Sequence, residues 1–130
     1  GRNGSVKTEA SVRKVPLPNL LIKHNFVEYV QTKSMFLFDA NSKFLTRYYA
    51  NEIKRACHLP DYTDKEEPLS LYSLRHFVIT NLQGLNVNRH ITQALVGHHA
   101  GITTLTDSQY SHDVPLSELK SNIEKVQIDV

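Results

Sequence analysis

Apolar and polar positions along the chain recur at two different periods. In "SVKTEASVRKVPLP", Val6, Val12 and Val15 alternate with polar residues around Glu9, Ala10 and Ser11. That is the period of a half-buried strand, and Pro16 and Pro18, which have no N–H to give a ladder, place its end at a sheet edge. The pattern predicts a short β-hairpin. From Asn19 the period changes: Leu20, Leu21, Phe26, Val27 and Val30 recur near helical spacing with His24 and Glu28 on the wetter side, which predicts an amphipathic helix. "MFLF" at 35–38 reads as a brief strand. Asn41 or Ser42 can cap a second helix that turns Phe44, Leu45, Tyr48, Tyr49, Ile53 and Ala56 inward and Lys43, Arg47, Lys54 and Arg55 outward, until Leu59 and Pro60 end it.

"PDYTDKEEP" is acidic, bounded by prolines and without periodicity, so it predicts a loop. Ser73 can then cap a helix through Phe77, Val78, Ile79 and Leu82, with Gly84 as its left-handed terminator. Another helix runs from about Asn88 through Ile91, Ala94, Leu95 and Val96 and stops at Gly97, leaving His98 just past its end. "TTLTDSQYSH" predicts a short helical turn carrying Tyr110. In "PLSELKSNIEKV", a proline opens a terminal helix whose stripe is Leu116, Leu119, Ile123 and Val126. That stripe must dock on something, in cis or on a neighbouring subunit.

Composition narrows the picture only a little. A chain of 130 residues, 40% of them hydrophobic, supports one compact domain, and a net charge of +2 permits a nucleic-acid partner without singling one out. The lone cysteine, Cys57, excludes an internal disulfide framework and fits a reducing compartment, and no apolar run approaches a membrane span. A soluble protein of the cytoplasm is the expectation. The opening "GRNGS" has no initiator methionine and reads as a cut point within something longer. His98 and His99 are adjacent, which does not put two ligands on one helical face, so a zinc site with Cys57 or His112 is not expected. No metal and no cofactor is expected, and neither an acidic cluster for a metal-dependent nuclease nor a nucleophile elbow is present in the sequence.

Three features fall in one order: an arginine at a helix start in "YSLRHFVIT", a Gly-His at a helix end in "ALVGHHAG", and a tyrosine in a polar turn in "TDSQYSHDVPL". Together they resemble the catalytic-domain signature of the tyrosine recombinases, the phage-integrase family, in which an H-x-x-R-H box precedes L-G-H and a nucleophilic tyrosine. The opening "VKTEASVRKVPLP" is similar to that family's β-hairpin with its catalytic lysine. The resemblance covers nearly the whole chain. Any single box occurs by chance; four in order make a joint signal.

The resemblance implies a mainly α fold with a small β-hairpin or sheet (α+β), that of the tyrosine-recombinase catalytic domain, spanning residues 1–130 as a single domain. It implies double-stranded DNA as substrate, a tetramer on paired sites, and cleavage and rejoining through a 3′-phosphotyrosyl intermediate. Tyr110 would be the nucleophile, Arg75 the second active-site arginine, His98 the Gly-His histidine and Lys7 the hairpin lysine. The chemistry suits these types. A guanidinium holds two phosphate oxygens and neutralises the charge that grows in the transition state. A phenol that attacks phosphorus stores the bond energy in a phosphotyrosine ester, so religation needs neither ATP nor metal. A cationic lysine can protonate the leaving 5′ oxygen.

Two positions depart from the family pattern. Tyr72 stands where histidine is usual; a phenol donates a hydrogen bond to phosphate but is a poor proton acceptor at neutral pH. Nothing before Lys7 matches the family's first active-site arginine, since Arg2 is too close, so the expectation is a catalytic domain lacking its upstream portion, weak or inactive alone. Lys14 competes with Lys7 for the lysine role, and a lysine there is ordinarily a solvated edge residue. His76 reads as a buried structural histidine behind Arg75. The alternatives are a catalytically inactive DNA-binding module with the same fold, which binds DNA without cutting it, and an unrelated helical interaction domain, which does not bind DNA.

Overall fold

The structure is a computed structural model and describes residues 11–97 and 114–128. In chain order these form α1 (Asn19–Lys23), α2 (Phe26–Gln31), α3 (Ser42–Tyr48), a π-helical turn (Tyr49–Ile53), α4 (Lys54–Ala56), α5 (Ser73–Gly84), α6 (Arg89–Val96) and α7 (Leu116–Ile123). Two compact units divide the chain, residues 1–25 with 78–130 and residues 26–77, and the boundary falls inside α5.

The expected α+β class is overturned, because the described residues are helical and contain no β-strand. Residues 12–18 have no regular structure. Pro16 and Pro18 cannot donate to a ladder, and the polar groups of this stretch bond to helices instead. Arg13 Nε donates to Leu95 O at 3.0 Å, and Leu17 O accepts from Lys120 Nζ. The earlier half of the expected hairpin, with Lys7, lies outside the described residues. "MFLF" is also no strand: residues 35–38 form bends, and Tyr29 Oη donates to Leu37 O at 2.8 Å. The acidic loop holds one isolated antiparallel bridge, Tyr62 to Pro68.

In the unit of residues 1–25 and 78–130, the core is Leu82, Ile91, Ala94, Leu95, Val96 and Leu119, with Val78, Ile79, Val87, Val114, Ile123 and Val126 packed around it. α6 starts after Asn88 and stops at Gly97, as its sequence predicts, and it is held at both ends. Asn88 Oδ1 accepts from His90 N–H at 3.4 Å, and Gly97 takes φ 68° while its N–H donates to Gln93 O at 2.7 Å. Only glycine enters that left-handed region without a steric penalty. α7 follows Pro115 and buries Leu119 and Asn122, leaving Leu116 exposed. Its polar side clasps the start of α1: Lys120 Nζ donates to Asn19 Oδ1 and Glu124 Oε1 accepts from the Asn19 N–H at 2.6 Å. The Lys120 hydrogen bond, then the Asn19 N–H, hold the Glu124 carboxyl below its ordinary range.

Two expected helix boundaries move. The helix expected from Asn19 to Val30 is broken into α1 and α2, with Asn25 at φ 61° between them. Gly84 is the last residue of α5 rather than its left-handed terminator; Asn86 takes that role at φ 56°, and the Val87 N–H reaches back to Leu82 O at 3.0 Å. Asparagine tolerates this region better than other side chains do.

In the unit of residues 26–77, the expected inward stripe of the second helix is corrected. Phe44, Tyr48 and Ile53 are exposed, Leu45 is half-buried, and Tyr49 and Lys54 are buried. The cause is the π-helical turn at Tyr49–Ile53. It adds a residue to one turn, so the inward face advances by five positions from Tyr49 to Lys54 instead of by four to Ile53. The lysine stem is covered while its ammonium reaches out to Asp61 Oδ1 at 2.8 Å, with side-chain exposures of 8% and 83%. This pair closes the turn after α4, where His58 has φ 53° and Leu59 N–H donates to Lys54 O at 2.8 Å.

Two outcomes test these backbone and register assignments. At Gly84 a Cβ would meet nothing within 4 Å, so Gly84→Ala raises stability by about 0.5 to 1 kcal/mol through lost unfolded-state freedom. Gly97→Ala, which forces a side chain to φ 68°, lowers it by roughly 1–2 kcal/mol; urea denaturation measures both. The Lys54 hydrogen bond, then the Lys54 charge, hold the Asp61 carboxyl below its ordinary 3.8. A depressed carboxyl stabilises fully above the unfolded value and loses that contribution as pH falls through the folded one. Asp61→Asn therefore lowers stability at neutral pH and flattens its decline below about pH 4, read from denaturation curves at a series of pH values.

Candidate functional site

The start of α5 is built by serines. Ser73 N–H donates to Ser70 O at 2.9 Å and Ser73 Oγ accepts from the Ser70 N–H at 3.0 Å, a reciprocal pair that fixes the entry of the chain into the helix. The expected cap residue thus acts as the first helical residue, reaching back across the turn. Arg75 N–H donates to Tyr72 O at 3.0 Å. Arg75 therefore stands in the first turn, as the sequence predicts, and is half-buried.

Tyr72 and Arg75 are the two expected site residues that the described structure brings together, one turn apart. Tyr72 is 60% exposed. His76, expected to be buried behind Arg75, is exposed; its ring meets that of Tyr72 edge to face, with centroids 5.2 Å apart and planes at 79°. The correction has a helical cause. Positions 72 and 76 lie four apart on one face, so once Tyr72 faces water His76 faces it as well, and the inward positions are taken by Val78, Ile79 and Leu82. Phe77, expected inward, is 46% exposed.

Tyr72, Ser73, His76 and Phe77 line a cleft of about 570 Å³ together with Glu67 and Leu69. Arg75 is not in that lining. A phenol, an imidazole and a hydroxyl at one cleft give hydrogen-bond donors to a polar ligand, while Glu67 opposes an anion entering from the loop side.

Lys7, His98 and Tyr110 lie outside the described residues, as does the helical turn expected around Tyr110. The described structure does supply the residue before His98, since Gly97 ends α6 in the left-handed conformation. Lys14, the competitor of Lys7, is exposed and lines a groove of about 470 Å³ with Arg13, Ala94 and Leu119.

Sequence reading missed Arg13. Its Nε bonds Leu95 O, a carbonyl in the last turn of α6. A cation there complements the helix C-terminus and ties the residue 11–18 segment to the helix end that precedes His98. The partners lie 82 positions apart, so no local pattern could have signalled the bond. Among the described residues, no group of three His, Cys, Asp or Glu side chains gathers to hold a metal ion, and no helix is long and apolar enough to cross a membrane.

No protein-family model, curated protein or solved structure matches the chain.

Proposed function

We propose that this chain is the catalytic part of a site-specific DNA recombinase or integrase of a phage or other mobile element, which breaks and rejoins DNA strands through a tyrosine. The carrying observation is the ordered run "YSLRHFVIT", "ALVGHHAG" and "TDSQYSHDVPL". Two local features support it. α5 opens at Ser73, which puts Arg75 in a first helical turn, and α6 stops on Gly97 at φ 68°, immediately before His98.

In this mechanism the Tyr110 phenol gives up its proton to water as its oxygen attacks the scissile phosphorus. The P–O bond to the 5′ carbon's oxygen breaks, and a proton from Lys7, or from Lys14, neutralises the leaving alkoxide. Arg75 and His98 hold the non-bridging oxygens, and the guanidinium carries the charge that develops on them. Attack by a 5′ hydroxyl on the phosphotyrosine reverses the step with a new strand, so no external energy source is consumed. DNA recombination and integration follow when tetramers hold paired sites.

A second reading, a DNA-binding module without catalysis, draws on Tyr72. Its exposed ring occupies the first position of the arginine box and meets the His76 ring edge to face, and a phenol replaces the imidazole that the resemblance would put there.

Incubation with a nicked suicide duplex carrying the element's attachment site separates the two. The recombinase reading predicts a protein–DNA band that survives denaturation and disappears in Tyr110→Phe. Salt-sensitive binding with no such band overturns it in favour of the module.

A further inference from the structure

Among the cationic side chains of residues 26–77, Lys43 and Arg47 are a pair that shares one helix and one concavity. Lys54 is paired with Asp61, and Lys33 lies over the Tyr29 ring at 4.7 Å from its centroid. Lys43 and Arg47 have no acidic partner among the described residues. They lie four positions apart on α3, so two like charges face each other across one turn, an arrangement that disfavours the helix. The hydroxyl residues Ser42 and Thr46 sit beside them, and the four side chains with Ala50 line a shallow concavity of about 400 Å³ with no acidic residue in it. All five are exposed. The acids nearest α3 in the sequence are Asp39, ahead of it, and Glu52, in the π-helical turn after it, and neither lines the concavity.

We infer that this face of α3 is a phosphate-backbone contact surface for duplex DNA, separate from the cleft at Tyr72; it rests on the DNA-processing reading above. The charge arrangement fits an occupant with closely spaced anions. A rise of about 1.5 Å per residue sets Lys43 and Arg47 roughly 6 Å apart along the helix. Duplex DNA presents one negative charge per about 1.7 Å of axis, so each cation meets its own phosphate. The Thr46 hydroxyl is spent on Ser42 O at 2.9 Å, and the neutral Ser42 hydroxyl beside the cations donates to the same oxygens without reading a base. An anionic duplex thereby relieves the repulsion that α3 carries alone.

The test is duplex binding by fluorescence anisotropy across a salt series, with the wild-type chain, the double variant Lys43→Gln/Arg47→Gln and the control Lys65→Gln, whose lysine stands between Asp64 and Glu66. Each lost phosphate contact lowers the steepness of log K against log salt by about 0.9, so the double variant is expected to be shallower by about 1.8. The weakening is the same for unrelated sequences, and Lys65→Gln keeps the wild-type slope. Helical circular dichroism stays unchanged, since both side chains are exposed. Wild-type binding with an unchanged slope in the double variant overturns the α3 surface and leaves the DNA reading standing. Absence of duplex binding by the wild type overturns both.

Discussion

Every residue of α6 from Ile91 to Val96 is out of water, and the placement of the other described helices of its unit follows from that burial. A short helix with no exposed face in its last two turns cannot rely on propensity; it persists through tertiary packing, above all against α7. Leu82 and Leu119 share its core cluster. The arrangement is demanding, since Thr92 Oγ1 and Gln93 Oε1 are buried without a hydrogen-bond partner among the described residues. Apolar burial and end restraint offset it. Asn88 satisfies a first-turn N–H, Gly97 closes the last turn, and Arg13 takes up Leu95 O. The functional consequence is positional: the carbonyls and the left-handed glycine that precede His98 sit on the most deeply packed helix described.

Residues 26–77 obey a different constraint. Their helices bury little apolar surface, with Met35, Phe36, Phe38, Phe44 and Tyr48 all exposed. Local devices therefore set their geometry. The π-helical turn rotates Lys54 inward, Asp61 captures its ammonium, and the Tyr29 hydroxyl pins the "MFLF" bends. These are polar ties at defined distances, and they hold backbone shape where a hydrophobic core would otherwise do so.

Legibility from sequence tracks this difference. α6 and α7 were readable because caps and stops are local signals: Asn88 with Gly97, and Pro115 with the Leu119 stripe. The second helix was readable in its start, with Asn41 as the cap, but not in its inward face, because nothing in "RYYANEIKRA" marks the extra residue of a π turn. The hairpin failed for the opposite reason. Val12 and Val15 stand three positions apart, on opposite faces of any strand, so the alternation marks no buried face, and this segment spends its bonds on α6 and α7. Of the site, the first-turn position of Arg75 was legible from Ser73. The exposure of His76 was not, since helical spacing says which residues share a face but not which face is covered.

Chemically the proposal stands on Arg75 and the charge of one phosphate. A guanidinium offsets the standing charge of the phosphate as well as the charge that develops on it, so its importance is greatest where the phosphate is an anion. The decisive measurement is strand cleavage by Arg75→Ala on two nicked duplexes, one with an ordinary scissile phosphate and one with a neutral methylphosphonate at the same position. Loss of about 10²-fold or more on the phosphate, with cleavage of the methylphosphonate close to wild type, is the expected result. Equal impairment on both substrates, or none on either, would contradict a role for Arg75 in neutralising the scissile phosphate.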